Sequence, residues 1–439
     1  MNSRTYIGGE AQASPRVRTG IVLVMAVLAG LGLGRFAGYR QPSTAPAMIS
    51  PRDSQTVIES LRRQVEARPD NAVLWQELAG AYLRRAGQVG DPQLILAAEQ
   101  AIGQAQGLAP NDPATLVATA NLAMARHRFH EARDWGDRAA RAAPDSAESL
   151  VVLVDASIEL GRYDEAEGYL QTLLDRKPNL AALARLSYFR ELQGDRDGAI
   201  QAMLAARTAG GGEGYEIAQI DTFIGNLLYG QGELEQAAEA FGRARRQPDT
   251  ILASIGEARV LAVHGDLESA VALLEDVVAH YPLTEAVVLL GELQAAVGDS
   301  AASQNTFALV AAIGELQRQA GSVVDLEMAL YQADHGDAAA AVELATKAYR
   351  ERQTIFTADA LGWAMFKNGD AAGAVQLMEE AAKLGTADPL LSFHAATVYQ
   401  AAGFEARARL ELLKVVELNP RFSVFHQLAL DALRAELGV

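Results

Sequence analysis

The sequence predicts an all-α chain: a solenoid of about ten stacked helix pairs, closed by a C-terminal helix and preceded by one membrane helix. Three observations lead there. A glycine, usually followed by an acidic residue, recurs at Gly161, Gly194, Gly232, Gly265, Gly298, Gly336, Gly369 and Gly403, at intervals of 33, 38, 33, 33, 38, 33 and 34 residues. Prolines keep the same time, with Pro110, Pro144 and Pro178 each 34 apart and Pro248 and Pro282 likewise. Near the N-terminus, residues 21–34 form a wholly uncharged apolar run. A fixed period in this range marks one small helical unit copied and stacked, each burying its apolar face on its neighbours.

From the N-terminus, the apolar run follows a short tail carrying Arg4, Arg16 and Arg18. Such a run is an export signal or an anchor. Extending it through Phe36 to Tyr39, with Arg35 snorkelling at the interface, restores the length a membrane span needs. No small-x-small cleavage site follows closely, so residues 20–39 are expected to be an uncleaved single-pass anchor after a tail over 1–19. The short basic tail is expected to stay inside and the repeats to lie on the extracytoplasmic side. Gly30, Gly34 and Gly38 hold the four-residue spacing that lets membrane helices pair, a route to a homo-oligomer. Residues 40–54, with Pro42, Pro46 and Pro51, read as a flexible stalk.

Repeats then run over 55–209 and 217–422, joined by a glycine-rich connection at 210–216. Between Pro144 and Pro178, Leu150, Leu153, Val154 and Ser157 recur at helical spacing, and Ala166, Leu170 and Leu173 do so after Gly161. Two amphipathic helices therefore flank a tight turn. A glycine there accepts the left-handed conformation that ends the first helix, and the acid beside it caps the second or meets its dipole. An alanine five residues after most of the glycines, from Ala166 to Ala408, permits close crossing of the two helices. Residues 423–439 are expected to form the closing helix, turning Phe425, Leu428, Ala432 and Leu433 inwards.

With 34-residue units, paired helices, Trp75, Leu78, Ala79 and Tyr82 in one helix and Ala98, Ile102, Ala105 and Pro110 in the next, the chain resembles the tetratricopeptide repeat family. The resemblance implies a right-handed α-solenoid and covers about four-fifths of the chain. Against that pattern, Pro69 to Pro110 is seven residues too long, placing an extra loop at Gly87 to Gln93. His127 stands where the turn glycine belongs, Ser303 at a small crossing position and Glu257 at an apolar one. The family's groove positions fall here on Asn121, Met124, Asp155, Ile158, Tyr188, Thr222, Asn226, Tyr229 and Arg259, then on Phe356, Asp359, Trp363, Phe366, Phe393 and Thr397. The lysines with which some members clamp an acidic C-terminal tail are missing from these positions.

Charge and composition narrow the function. A formal charge of −17 opposes nucleic acid or an anionic lipid surface as the main partner. Arginine greatly outnumbers lysine, which reads as the codon bias of a GC-rich bacterium. Cysteine is absent, removing disulfides, thiolate metal sites and a cysteine nucleophile. No phosphate-binding loop, dinucleotide fingerprint, nucleophile elbow or zinc-protease helix occurs, so no catalytic, cofactor or metal site is expected. His127, His130 and Glu131 form the sole hook for a metal-dependent enzyme; they are expected to project into solvent at a turn. The expected function is a bacterial, membrane-anchored, non-catalytic scaffold or adaptor that holds a protein or peptide in the concave groove. A narrower alternative is an envelope assembly chaperone, similar to the anchored repeat subunits of cytochrome c maturation or of the secretion translocon.

Overall fold

The computed structural model describes residues 51–211 and 214–439, together with a two-residue antiparallel bridge pairing Leu23–Val24 with Pro42–Ser43. Apart from that bridge, the basic tail, the anchor over 20–39 with its Gly30, Gly34 and Gly38 spacing, and the stretch 40–50 lie outside the described residues. No described helix is long and apolar enough to cross a membrane.

The described residues form 22 helices. A leading helix, α1 (Pro51–Ala67), begins inside the stretch read as a stalk. Ten pairs follow: α2 (Ala72–Val89) with α3 (Pro92–Leu108), α4 (Pro113–Ala125) with α5 (Phe129–Ala142), α6 (Ala147–Glu159) with α7 (Tyr163–Arg176), α8 (Leu180–Leu192) with α9 (Arg196–Ala209), and α10 (Tyr215–Gly230) with α11 (Leu234–Ala244). The second five are α12 (Ile251–Val263) with α13 (Leu267–His280), α14 (Thr284–Ala296) with α15 (Ser300–Gln319), α16 (Asp325–His335) with α17 (Ala338–Glu351), α18 (Ile355–Lys367) with α19 (Ala371–Ala381), and α20 (Pro389–Ala401) with α21 (Glu405–Leu418). Helix α22 (Gln427–Leu437) closes the array.

Turn chemistry follows the expected physics. Gly161 and Gly194 take φ of 72° and 75°, a region an L side chain enters only at a cost. Asp195, Asp266, Asp299, Asp337 and Asp370 each accept a hydrogen bond from a backbone N–H in the first turn of the second helix. The crossing alanines Ala166, Ala199, Ala237, Ala270, Ala341, Ala374 and Ala408 are all fully buried.

The first unit's insertion resolves differently from the expectation. The seven extra residues of the first unit do not loop out at Gly87 to Gln93; they lengthen α2 and α3, leaving Gly90 and Asp91 as C-cap and N-cap. The insertion around Gly314 lies within the 20-residue α15. At the glycine run, Met203 and Ala206 of α9 share one apolar core with Ile217 and Ile220 of α10.

Beyond neighbour stacking, the array winds back on itself. The turn Arg126–Arg128 meets 320–323: Arg126 Nε donates to the Ala320 carbonyl (2.9 Å) and Val323 N–H to the Arg126 carbonyl (2.9 Å). One unit on, Arg352 pairs with Glu159 and Ile355 N–H donates to the Tyr163 hydroxyl (3.3 Å). The Thr386 hydroxyl then donates to the Leu192 carbonyl, and the Asn419 amide to the Tyr229 carbonyl (2.7 Å). Each contact spans 190 to 197 residues in sequence, so one superhelical turn takes between five and six units and lies directly on the next.

That closure explains why the first helices are buried almost all round: Thr115–Met124, Ser149–Ile158 and Thr284–Gln294 are continuous buried stretches. A helix apolar on every face belongs inside. They pack on their own second helices and on the flanking units, and α14 also on the chain's C-terminal segment.

The candidate partner-binding interior

All fifteen groove positions named from the family pattern lie on first helices, and ten of them fall into two groups. In the N-terminal turn, Asn121, Asp155 and Tyr188 are buried. Asp155 and Arg185 of α8 form a two-pronged ion pair, Nε–Oδ1 2.8 Å and Nη2–Oδ2 2.6 Å, with both side chains wholly inaccessible. Burial holds the Tyr188 phenol well above its usual pKa, with the Glu159 carboxylate adding to the shift. Phe356 of α18 is half-buried against the core shared with α8 and α10. The Asp155–Arg185 pair joins adjacent units of one turn, and Phe356 packs across to the other turn.

The second group surrounds the segment between α21 and α22. Asn226 is half-buried on α10. At that helix's end the Tyr229 hydroxyl donates to the Phe422 carbonyl (3.1 Å), and burial pushes its pKa up to about 12. Arg259 of α12 pairs with Glu285 of α14. Tyr229, Arg259, Leu289 and Glu292 close around Phe422, Ser423 and Val424, leaving a cavity of only ≈ 10 Å³. The Phe425 ring lies 4.5 Å from the His335 ring of α16, itself 2.9 Å from the Glu292 carboxylate.

Beyond it, Trp363, Phe366 and Phe393 do come together. Trp363 stacks on Phe366 (5.2 Å) and on His394 (3.9 Å, 12° between planes), and its indole N–H donates to Asp334 (2.9 Å). Phe393 faces Phe422 at 5.7 Å and His426 at 5.0 Å. His426 also lies 3.9 Å from Asp334, and its imidazole is pushed down to about 4, chiefly by burial. Burial likewise lifts the Glu292 carboxyl to about 7, against the opposing pull of its hydrogen bond to His335.

The residues missed in sequence are therefore Phe422 and His426, with Phe425 assigned to the wrong element. Helix α22 starts at Gln427, so the inward residues are Leu430, Leu433 and Leu437, while Leu428 is 85% exposed and Ala432 faces solvent. The readable signal was Pro420 followed by two phenylalanines three apart, aromatic density unusual in a chain with 6% aromatics.

The histidine hook is also placed differently. His127 keeps the positive φ of the glycine it replaces (56°), but its ring is largely buried, with Nδ1 2.9 Å from the Val323 carbonyl and 3.6 Å from Glu327. His130 Nε2 lies 3.0 Å from the Glu351 carbonyl. Both histidines bridge superhelical turns; His127 is held largely out of solvent, whereas His130 and Glu131 are exposed, as the sequence predicts. Among the described residues no group of three or more His, Asp or Glu side chains could hold a metal ion.

Residues 123–187 and 224–283 each match a family model described as a tetratricopeptide repeat. The two matches support a tetratricopeptide repeat protein. Repeats of this kind suggest a protein–protein interaction scaffold. Among solved structures, the chain is similar to the Cut9–Hcn1 hetero-tetramer of the APC/C at 13% identity and TM-score 0.38, over 88% of this chain and 93% of that one. Yeast Tom70 is similar at 12% identity and TM-score 0.34, over 84% and 95%. A human IFIT1 dimer with PPP-AAAA is similar at 14% identity and TM-score 0.37, over 84% and 79%. No curated protein matches by sequence.

Proposed function

We propose that this protein is a non-catalytic scaffold that holds a segment of a partner protein inside its repeat array, tethered to a bacterial membrane by residues 20–39 with the repeats outside the cytoplasm. One observation supports the binding surface above the others: the interior of the second superhelical turn accommodates an irregular polypeptide segment, residues 419–426, against the first helices of six consecutive units. A surface whose Tyr229 hydroxyl donates to a main-chain carbonyl of the segment, and whose Phe393 and Trp363 flank an aromatic side chain, suits peptide recognition. The anchor rests on the uncharged run over 21–34 and the arginines before it.

The test is in-cell photocrosslinking from the half-buried interior positions Asn226 and Thr397, followed by mass spectrometry. Adducts with another protein are expected at both; adducts to this chain alone would overturn the scaffold reading. For the anchor, the protein should resist carbonate extraction from membranes and lose that resistance when residues 1–40 are removed.

A further inference from the structure

Residues 419–426 leave the path of the array. At Gly232 the chain still follows the inter-turn register, with the Leu418 carbonyl packed on the glycine as Gln353 packs on Gly161. An eleventh unit's first helix would start here. The chain instead turns inwards and crosses α10, α12, α14, α16, α18 and α20 before α22 begins. Phe422 and Phe425, three apart, enter separate aromatic niches, one beside Phe393 and the other beside His335. His426 follows, close to Asp334 and edge-on to Trp363 (6.0 Å, 84°).

We propose that residues 419–426 are an internal ligand, and that the partner is an extended segment of the same chemistry, aromatic at positions i and i+3 with an imidazole immediately after, which displaces them. The proposal rests on the scaffold reading and names the partner's chemistry. Three features carry it. The segment makes few backbone hydrogen bonds of its own, the Arg421 N–H to Asn419 and the His426 N–H to Ser423 being side-chain turns. It lies between two helices anchored on one core: Leu430, Leu433 and Leu437 hold α22 to the same core as Leu412 and Val415 of α21, which Phe422 also joins. Its fit is also incomplete, because Nε2 of His394, whose ring lies 5.9 Å from that of His426, stays buried without a hydrogen-bond partner. A ligand with a donor at that point would out-compete it. The carboxylates of Glu285, Glu292, Asp334 and Asp359 along the same interior favour a neutral or basic segment over an acidic one.

The experiment uses the full chain and a fluorescein-labelled peptide of residues 418–428. Phe422→Ser with Phe425→Ser should loosen the internal segment, and peptide affinity should rise at least tenfold over the unaltered chain. A peptide with both phenylalanines changed to serine should not bind. Failure of the peptide to bind a loosened chain with unchanged far-UV circular dichroism would overturn the proposal. Should that variant unfold, Val424→Cys with Leu289→Cys decides in a chain that has no other cysteine. Once the bridge is confirmed by mass, oxidation should abolish peptide binding and reduction restore it, whereas equal binding in both states would overturn displacement. Failure here is distinct from failure of the scaffold reading: cellular crosslinks that persist equally in the bridged chain would leave a scaffold whose partner binds elsewhere.

Discussion

At the scale of single residues, the turn glycines that set the repeat period carry unequal loads. A Cβ at Gly265 would meet nothing, and Ala there pays only for its left-handed backbone, roughly 1–2 kcal/mol. At Gly161 and Gly194 the same methyl would also overlap the Gln353 or Gly385 carbonyl of the next superhelical turn. Gly161→Ala should therefore cost about 1–3 kcal/mol more than Gly265→Ala in urea unfolding, reflecting overpacking as well as strain. Equal losses would show that the turns do not press on each other there. Arg185 and Asp155 pose a different case, since truncating one strands a buried charge: Asp155→Ala should cost about 3–5 kcal/mol, and Arg185→Met together with Asp155→Leu should recover most of it. Periodic residues such as the crossing alanines were legible because their constraint is local and repeats in every unit. Asp155 and Arg185 were not legible as a pair, because a single polar residue on a first helix reads equally well as a groove contact or as a buried partner.

At the scale of elements, helix existence, pairing and turn position could all be read from a 34-residue pattern, whereas insertions and the closing segment could not. Seven extra residues near Gly90 satisfy their backbone as well by extending two helices as by looping out, and no local rule separates the outcomes. The segment 419–426 escaped because its apolar residues continue a helical spacing into α22, and tertiary contact with α10 to α20 overrides that preference. Acid should loosen this segment. The His426 imidazole is held down near 4 against an ordinary value of 6.5, so its contribution is fully present above 6.5 and disappears as pH falls through 4. The groups facing it are Asp334, which favours its charge, and His394, Lys367 and His335, which oppose it. Glu292 works in the other direction, since its raised pKa stabilises at low pH and loses that effect as pH rises through 7. Trp363 fluorescence in a Trp75→Phe, Trp135→Phe background should change between pH 6.5 and 4, and His426→Leu should flatten that change. Persistence of the change in the leucine variant would assign it to another group.

At the scale of the whole molecule, the closed superhelix changes how the protein should unfold. A repeat array whose units touch only their neighbours behaves as a one-dimensional chain, free to fray from either end and to melt in stages. Here Arg126 on Ala320, Arg352 on Glu159, Thr386 on Leu192 and Asn419 on Tyr229 join units about 190 residues apart, so the first turn cannot open without releasing the second. The intact chain should therefore melt in one calorimetric transition, with amides of α6 and α18 exchanging at the same rate. Arg126→Ala, Arg352→Ala and Thr386→Ala together remove three of these links while leaving every crossing alanine and turn glycine in place. Each loss is modest, about 0.5–1.5 kcal/mol per neutral hydrogen bond and more where an ion pair goes. Their combined effect should appear less in total stability than in cooperativity, splitting the transition so that the N-terminal units exchange independently of the rest. A triple variant that still melts in one step, merely a few degrees lower, would place the cooperativity in the continuous apolar core that runs from α6 through α10 to α18.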